Sequence, residues 1–208
     1  GGSTSSSLSV TTPGTYTVTV TNPNGCSAST SQIVTQNITA PTTSITSSNN
    51  GQLTCAVTSI TLTAVGGGSY LWSNGNTNAV ISVSTPGIYS VTVTATNGCT
   101  AATSATITQD IVAPAAAITP PITTILTCAT TSIDLVATGG NSYSWSNGTV
   151  NVGVNSTLNV SLPGTYTATV TGTNGCTATA SITITQNSTP PPANINPPTS
   201  TELNCATT

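Results

Sequence analysis

Six cysteines are the side chains of this 208-residue chain whose type and spacing suit a defined chemistry, and that chemistry is disulfide formation. They are Cys26, Cys55, Cys99, Cys128, Cys176 and Cys205, separated by 29, 44, 29, 48 and 29 residues. Two classes alternate. One sits in an Asn-Gly-Cys turn, at Asn24-Gly25-Cys26, Asn97-Gly98-Cys99 and Asn174-Gly175-Cys176. The other follows a leucine, at Leu53-Thr54-Cys55, Leu126-Thr127-Cys128 and Leu203-Asn204-Cys205. Each class returns after 73 and then 77 residues, the mark of an array of small repeated domains. Zinc binding fits poorly, because the cysteines lack the close-spaced pairs of zinc sites and the chain has no histidine.

The remaining residues exclude more chemistry than they offer. There is no Lys, Arg or His, and the acids are three, Asp110, Asp134 and Glu202, for a net charge of −3. Such a chain has no basic field for nucleic acid or anionic lipid. Nor can it form a side-chain salt bridge, so its stability should respond little to salt. No apolar run reaches membrane-spanning length; the longest candidate, Ile111 to Leu126, is broken by Pro114, Pro120 and Pro121. The many Ser and Thr hydroxyls have no base to activate them, and the three carboxylates are too scattered for paired acid–base work. A lone carboxylate, Asp110, would make only a weak calcium site. The expectation is a protein that is not an enzyme, with no cofactor, no metal, no nucleic-acid partner and no membrane insertion. Asn-x-Ser/Thr triplets at Asn37, Asn147, Asn155, Asn159 and Asn187 arise readily by chance in so hydroxyl-rich a sequence. With no initiator methionine and no signal peptide, the chain reads as a window onto a longer, processed surface protein.

The elements that must position the cysteines are strands. Ile60-Thr61-Leu62-Thr63-Ala64 alternates with period two. Gly66-Gly67-Gly68 turns the chain into Ser69-Tyr70-Leu71-Trp72-Ser73, which sets Tyr70 and Trp72 on one face before the tight-turn pair Asn74-Gly75. Ile81 and Val83 mark the next strand. Pro86-Gly87 leads into Tyr89-Ser90-Val91-Thr92-Val93, and a final strand runs from Cys99 to about Gln109. The next repeat copies this through Ile133/Leu135, Tyr143/Trp145, Leu158/Val160, Tyr166 and Cys176, with four extra residues between Gly148 and Gly164. An insertion confined to a loop leaves the core register intact. The spacing predicts four segments: 1–38, the C-terminal part of a first repeat; 39–112 and 113–189, two complete repeats; and 190–208, the opening strand of a fourth. About seven short strands per repeat and no helical periodicity point to an all-β fold of tandem immunoglobulin-like sandwiches of about 75 residues. Tyr16, Tyr70, Trp72, Tyr89, Tyr143, Trp145 and Tyr166 are expected in the cores, with the tyrosine after each Pro-Gly placed for a tyrosine corner.

Leu-Thr-Cys, Ser-Ile-Thr-Leu-Thr-Ala, Tyr-x-Trp-Ser-Asn-Gly, Pro-Gly-x-Tyr-x-Val-Thr-Val and Asn-Gly-Cys-Thr-Ala together resemble the immunoglobulin-like and PKD-like repeats of Bacteroidota surface proteins, including gliding-motility adhesins. The resemblance covers nearly the whole chain. It implies secretion to the cell surface by the type IX route, and a spacer role between other modules.

Domains of this size are marginal without a covalent staple. Pairing within a repeat, Cys55–Cys99 and Cys128–Cys176, would contribute roughly 4 kcal/mol per bond. In such a sandwich, however, those cysteines lie at opposite ends, about 20 Å apart on strands of about seven residues, while a disulfide needs Cα atoms within about 7 Å. Cys55 with Cys176 satisfies that limit, leaving Cys128, Cys26 and Cys99 to seek domains outside the chain. Bridges between chains are the third option. The function expected is structural: the stalk of a long extracellular, cell-surface adhesin or filament, stiffened by disulfides and Pro-containing joints. Its partners would be neighbouring repeats and further copies in a homo-oligomeric filament, because edge strands here lack blocking charges. The alternative is a carbohydrate-binding module recognising surface glycans through exposed Tyr70 and Trp72.

Overall fold

A computed structural model describes residues 4–195; Glu202 and Cys205, with most of the expected fourth-repeat strand, lie outside the described residues. The protein is all-β. It divides into two compact units, one comprising the chain up to Leu53 with Val57–Gln109, the other Thr54–Ala56 with the chain from Asp110 onward.

In the first unit, β1 (Gly14–Thr21) and β2 (Ser27–Val34) form an antiparallel hairpin. A sandwich follows. One sheet has the order β3 (Ser44–Ser47), β5 (Ile60–Val65), β7 (Val80–Val83); the other runs β4 (Gln52–Thr54), β9 (Thr100–Asp110), β8 (Gly87–Thr94), β6 (Ser69–Trp72). The period-two sequence of β5 explains its place: Ile60, Leu62 and Ala64 are buried while Thr61 and Val65 face outward. Each such Ile or Leu contributes about 1.5–3 kcal/mol by leaving water. Trp72, Ile81, Val91, Val93 and Ile107 close the same core. A single 3-10 turn, Ser48–Gly51, links β3 to β4, with Asn49 and Asn50 in the left-handed region, which asparagine tolerates better than most residues.

The second unit repeats the plan. Its sheets are β10 (Ala117–Thr119), β12 (Ile133–Thr138), β15 (Thr157–Val160), and β11 (Ile125–Leu126), β17 (Thr177–Gln186), β16 (Gly164–Thr171), β13 (Ser142–Ser146), β14 (Asn151–Gly153). Leu126, Ile133, Leu135, Trp145, Val160, Tyr166 and Ile184 form its core. The four-residue insertion is more than a longer loop. It supplies β14, which pairs with β13 through a register irregularity at Trp145/Ser146 and adds an edge strand absent from the first sandwich.

On the β1–β2 and β16–β17 hairpins, hydroxyl side chains on one face pair across the strands. Thr17 with Ser31, and Thr19 with Ser29, lie at 2.8 Å. Thr167 and Ser181 lie at 2.9 Å, and Thr165 and Thr183 at 3.1 Å. Cross-strand hydroxyl pairs of this kind support a sheet without any charge. On β1 the opposite, apolar face is open: Val18 and Val20 are 54% and 62% exposed, whereas the equivalent Val91 and Val93 on β8 are fully buried.

Candidate functional site

The three Asn-Gly-Cys turns share one geometry. In each, the asparagine Oδ1 accepts the amide of the cysteine two residues on, at 3.2 Å for Cys26 and 3.0 Å for Cys99 and Cys176. The glycines take φ of +86°, +81° and +78°, a conformation costly for any residue with a Cβ. Two backbone bonds close each turn: Asn22 N–H to Cys26 O and Gly25 N–H to Asn22 O, with counterparts at Ala95/Cys99 and Gly172/Cys176.

This geometry leaves the asparagine Nδ2 free to act elsewhere. Asn97 Nδ2 donates to Asn37 Oδ1 and Thr39 O, both at 3.0 Å. Asn174 Nδ2 donates to Asp110 Oδ1 and Val112 O, both at 2.9 Å. In each unit, then, the turn clamps the Pro-containing segment that leads into its own sandwich. Sequence reasoning assigns these asparagines to turn formation only. The signal available was the recurrence of Gln36-Asn37 as Gln109-Asp110, at the foot of equivalent strands.

The third turn is occupied. Cys176 is bonded to Cys55 with a Cα–Cα distance of 5.0 Å, inside the range a disulfide requires. The bond is part of a docked segment, Thr54–Ala56, that belongs to the second unit. Ala56 N–H donates to Asn174 O at 3.3 Å, and Thr54 Oγ1 accepts the same N–H at 3.2 Å. A Cβ built on Gly175 would come within 2.5 Å of the Ala56 Cβ, so glycine here admits the segment as well as the turn. Cys176 is 3% exposed. Cys55 is therefore not joined to Cys99, and Cys128 is not joined to Cys176. Cys26 and Cys128 are exposed, Cys99 is half-buried, and none of the three carries a disulfide.

Six of the seven aromatic residues pack in or against the two cores; Tyr16, on β1, belongs to neither. Trp72 and Trp145 are 2% and 0% exposed, and their indole N–H groups donate to Asn78 O at 2.8 Å and Asn155 O at 2.9 Å. Tyr70 and Tyr143 pack against the cores from partly buried positions. Tyr16, Tyr89 and Tyr166 each donate a hydroxyl to the carbonyl four residues earlier, on Thr12, Thr85 and Leu162, at 2.9, 3.0 and 2.9 Å. That contact is the tyrosine corner of immunoglobulin-like sandwiches. Asp134 is exposed and accepts from Asn159 Nδ2 at 2.7 Å. A groove of about 610 Å3 in the second unit is lined by Asp110, Pro114, Gly139, Gly140, Asn141 and Asn174 among others, without an aromatic side chain. Among the described residues no His/Cys/Asp/Glu group is placed to hold a metal ion, and no helix is long and apolar enough to cross a membrane.

No protein-family model and no curated protein sequence matches the chain. Solved structures do. A 1.5-MDa bacterial ice-binding adhesin that is retained on the host cell surface matches with TM-score 0.50 and 16% identity, over 84% of this chain and 74% of that one. A Ca2+-stabilised adhesin by which an Antarctic bacterium binds ice matches with TM-score 0.47 and 17% identity over 84% of this chain, which spans 57% of that one. Immunoglobulin domains 1–5 of Sidekick-1 match with TM-score 0.31 and 13% identity, over 85% of this chain and 46% of that one. At 16% identity the likeness to the first of these is one of fold, and the paired sheets with their tyrosine corners are those of an immunoglobulin-like β-sandwich.

Proposed function

We propose that this chain is a load-bearing structural part of an extracellular, cell-surface adhesin or filament, of the kind its repeat motifs resemble in Bacteroidota. The observation that carries the reading is the Cys55–Cys176 bond, which ties a leucine-class cysteine of one sequence repeat to the turn-class cysteine of the next across 121 residues. A bond so placed adds nothing to a ligand site. It prevents most of the chain from being drawn out under load. A disulfide of this kind fits an oxidising compartment outside the cell, and bacterial surface adhesins are among the proteins sharing the fold. The hydroxyl-paired, uncharged sheet faces suit a stalk that must keep its properties as salt changes.

The carbohydrate-binding alternative loses its support from the site itself. Both tryptophans are buried, the groove has no aromatic wall, and its Asp110 and Asn174 are committed to each other.

Single-molecule stretching of the chain from its ends tests the structural reading. With the bond intact, the 121 residues it encloses cannot extend; reduction should release about 400 Å of additional contour length at about 3.3–3.6 Å per residue. Equal contour lengths before and after reduction would defeat the load-bearing role.

A further inference from the structure

The occupied turn at Cys176 shows what the other two turns are built to receive. Asn24–Cys26 and Asn97–Cys99 have its backbone hydrogen bonds, its asparagine-to-cysteine contact and its left-handed glycine. The difference that matters lies above the glycine. At Gly175 the space above the glycine is taken by Ala56, whereas at Gly25 and Gly98 nothing lies within 4 Å of the same position. The site is thus preformed before it is filled.

A matching ligand exists in the same chain. Leu53-Thr54-Cys55-Ala56 recurs without change as Leu126-Thr127-Cys128-Ala129. Both leucines are 2% exposed and anchor their segment to a core. Both alanine amides donate to the threonine hydroxyl two residues back, at 3.2 Å in each case, so the undocked segment shares this local turn with the docked one. Cys128 and Ala129 are exposed, and the Cys128 thiol makes only a 3.9 Å contact to Ser188 O.

We infer that the turns at Asn24–Cys26 and Asn97–Cys99 are binding sites for a Thr-Cys-Ala segment, and that the segment Thr127–Ala129 of a second copy of this chain is the ligand. The docked alanine would donate its N–H to the carbonyl of Asn24 or Asn97 and cover the adjacent glycine, which brings the two sulfurs into register. Closure by a low-molecular-weight disulfide such as oxidised glutathione is balanced. The Cys128 thiol displaces one glutathione to give a mixed disulfide, the Cys26 or Cys99 thiol displaces the second, and two glutathione thiols leave. The inference deepens the structural reading by naming how copies join, and rests on it only for the assumption that copies meet.

The test is oxidation of the chain in a glutathione buffer, followed by non-reducing electrophoresis and peptide mapping. Linked dimers and higher oligomers are expected, joined through Cys128 to Cys26 or Cys99. With Cys205 replaced by serine throughout, they should disappear in the C26S/C99S double variant. Ala129→Leu, on an exposed position, should slow linkage at least tenfold while Cys128 reacts with a small aromatic disulfide at the unaltered rate, because the block is on docking and not on the thiol. Linkage unaffected by Ala129→Leu, Cys128–Cys128 linkage, a Cys99–Cys128 bond within a monomer, or monomers alone would each overturn the proposal. None of these results alters the contour length released by reducing Cys55–Cys176, so the two readings fail separately.

Discussion

Replacing Cys55 and Cys176 together by serine should destabilise both units, although both sulfurs lie in the second. When the first unit unfolds and the second does not, the intact bond holds Ala56 on the folded unit, and Asp110 is held there by the chain. The 53 residues 57–109 are then a closed loop, which the chain-entropy treatment makes worth about 4 kcal/mol. When the second unit unfolds first, residues 110–176 are closed between the bond and the folded first unit. The value is again about 4 kcal/mol, because loop entropy grows only logarithmically with length. For complete unfolding, the 121-residue separation gives about 5 kcal/mol. For units of this size the midpoint should fall on the order of 15–30 °C. Urea and thermal unfolding, followed by the fluorescence of the two tryptophans, report one core each. A loss below about 1 kcal/mol in both transitions, or one confined to the second unit, would refute the shared-loop reasoning.

The clamps make a second comparison. Asn97→Ala should cost about 1–2 kcal/mol through its lost bonds to Asn37 and Thr39, read by urea unfolding. Asn174→Asp should cost about 1 kcal/mol more than Asn97→Asp, because it sets a carboxylate against Asp110 where the other faces an amide; the excess should shrink in high salt. Trp72→Ala and Trp145→Ala should each cost about 3–5 kcal/mol in the unit concerned, measured by denaturant midpoint with circular dichroism. Tyr166→Phe should lose about 1 kcal/mol with the Leu162 contact, and Tyr16→Phe less, since that hydroxyl is exposed to water.

The sequence makes local order legible because strand periodicity is local. Ile60 and Leu62, or Ile133 and Leu135, announce a buried face through alternation alone, and Pro-Gly-x-Tyr announces the corner that follows it. What stays hidden depends on partners far along the chain. Four extra residues after Gly148 give no sign that they form an edge strand on β13, because that pairing runs through a register irregularity at Trp145/Ser146 that has no sequence period. Asn97 and Asn174 look like turn formers, and their reach to residues 60 and 64 positions away has no sequence period. Cysteine spacing alone leaves three pairings open; choosing among them requires knowing which ends of which strands meet. The part played by Ala56 was invisible for the same reason, since a methyl group above Gly175 matters only once the turn and the segment are in contact.

The bond between Cys55 and Cys176 also sets an order of events during biogenesis. Cys55 emerges 121 residues ahead of its partner; Cys26 precedes it, and Cys99 and Cys128 arrive between the two. For that interval the earlier sulfur has three nearer but wrong companions, so oxidation must be delayed until the later turn has taken shape or remain open to reshuffling. Oxidative folding of such a chain therefore needs either a late-acting oxidant or a catalyst of thiol exchange, and yield should depend on that chemistry more than on the sandwiches themselves.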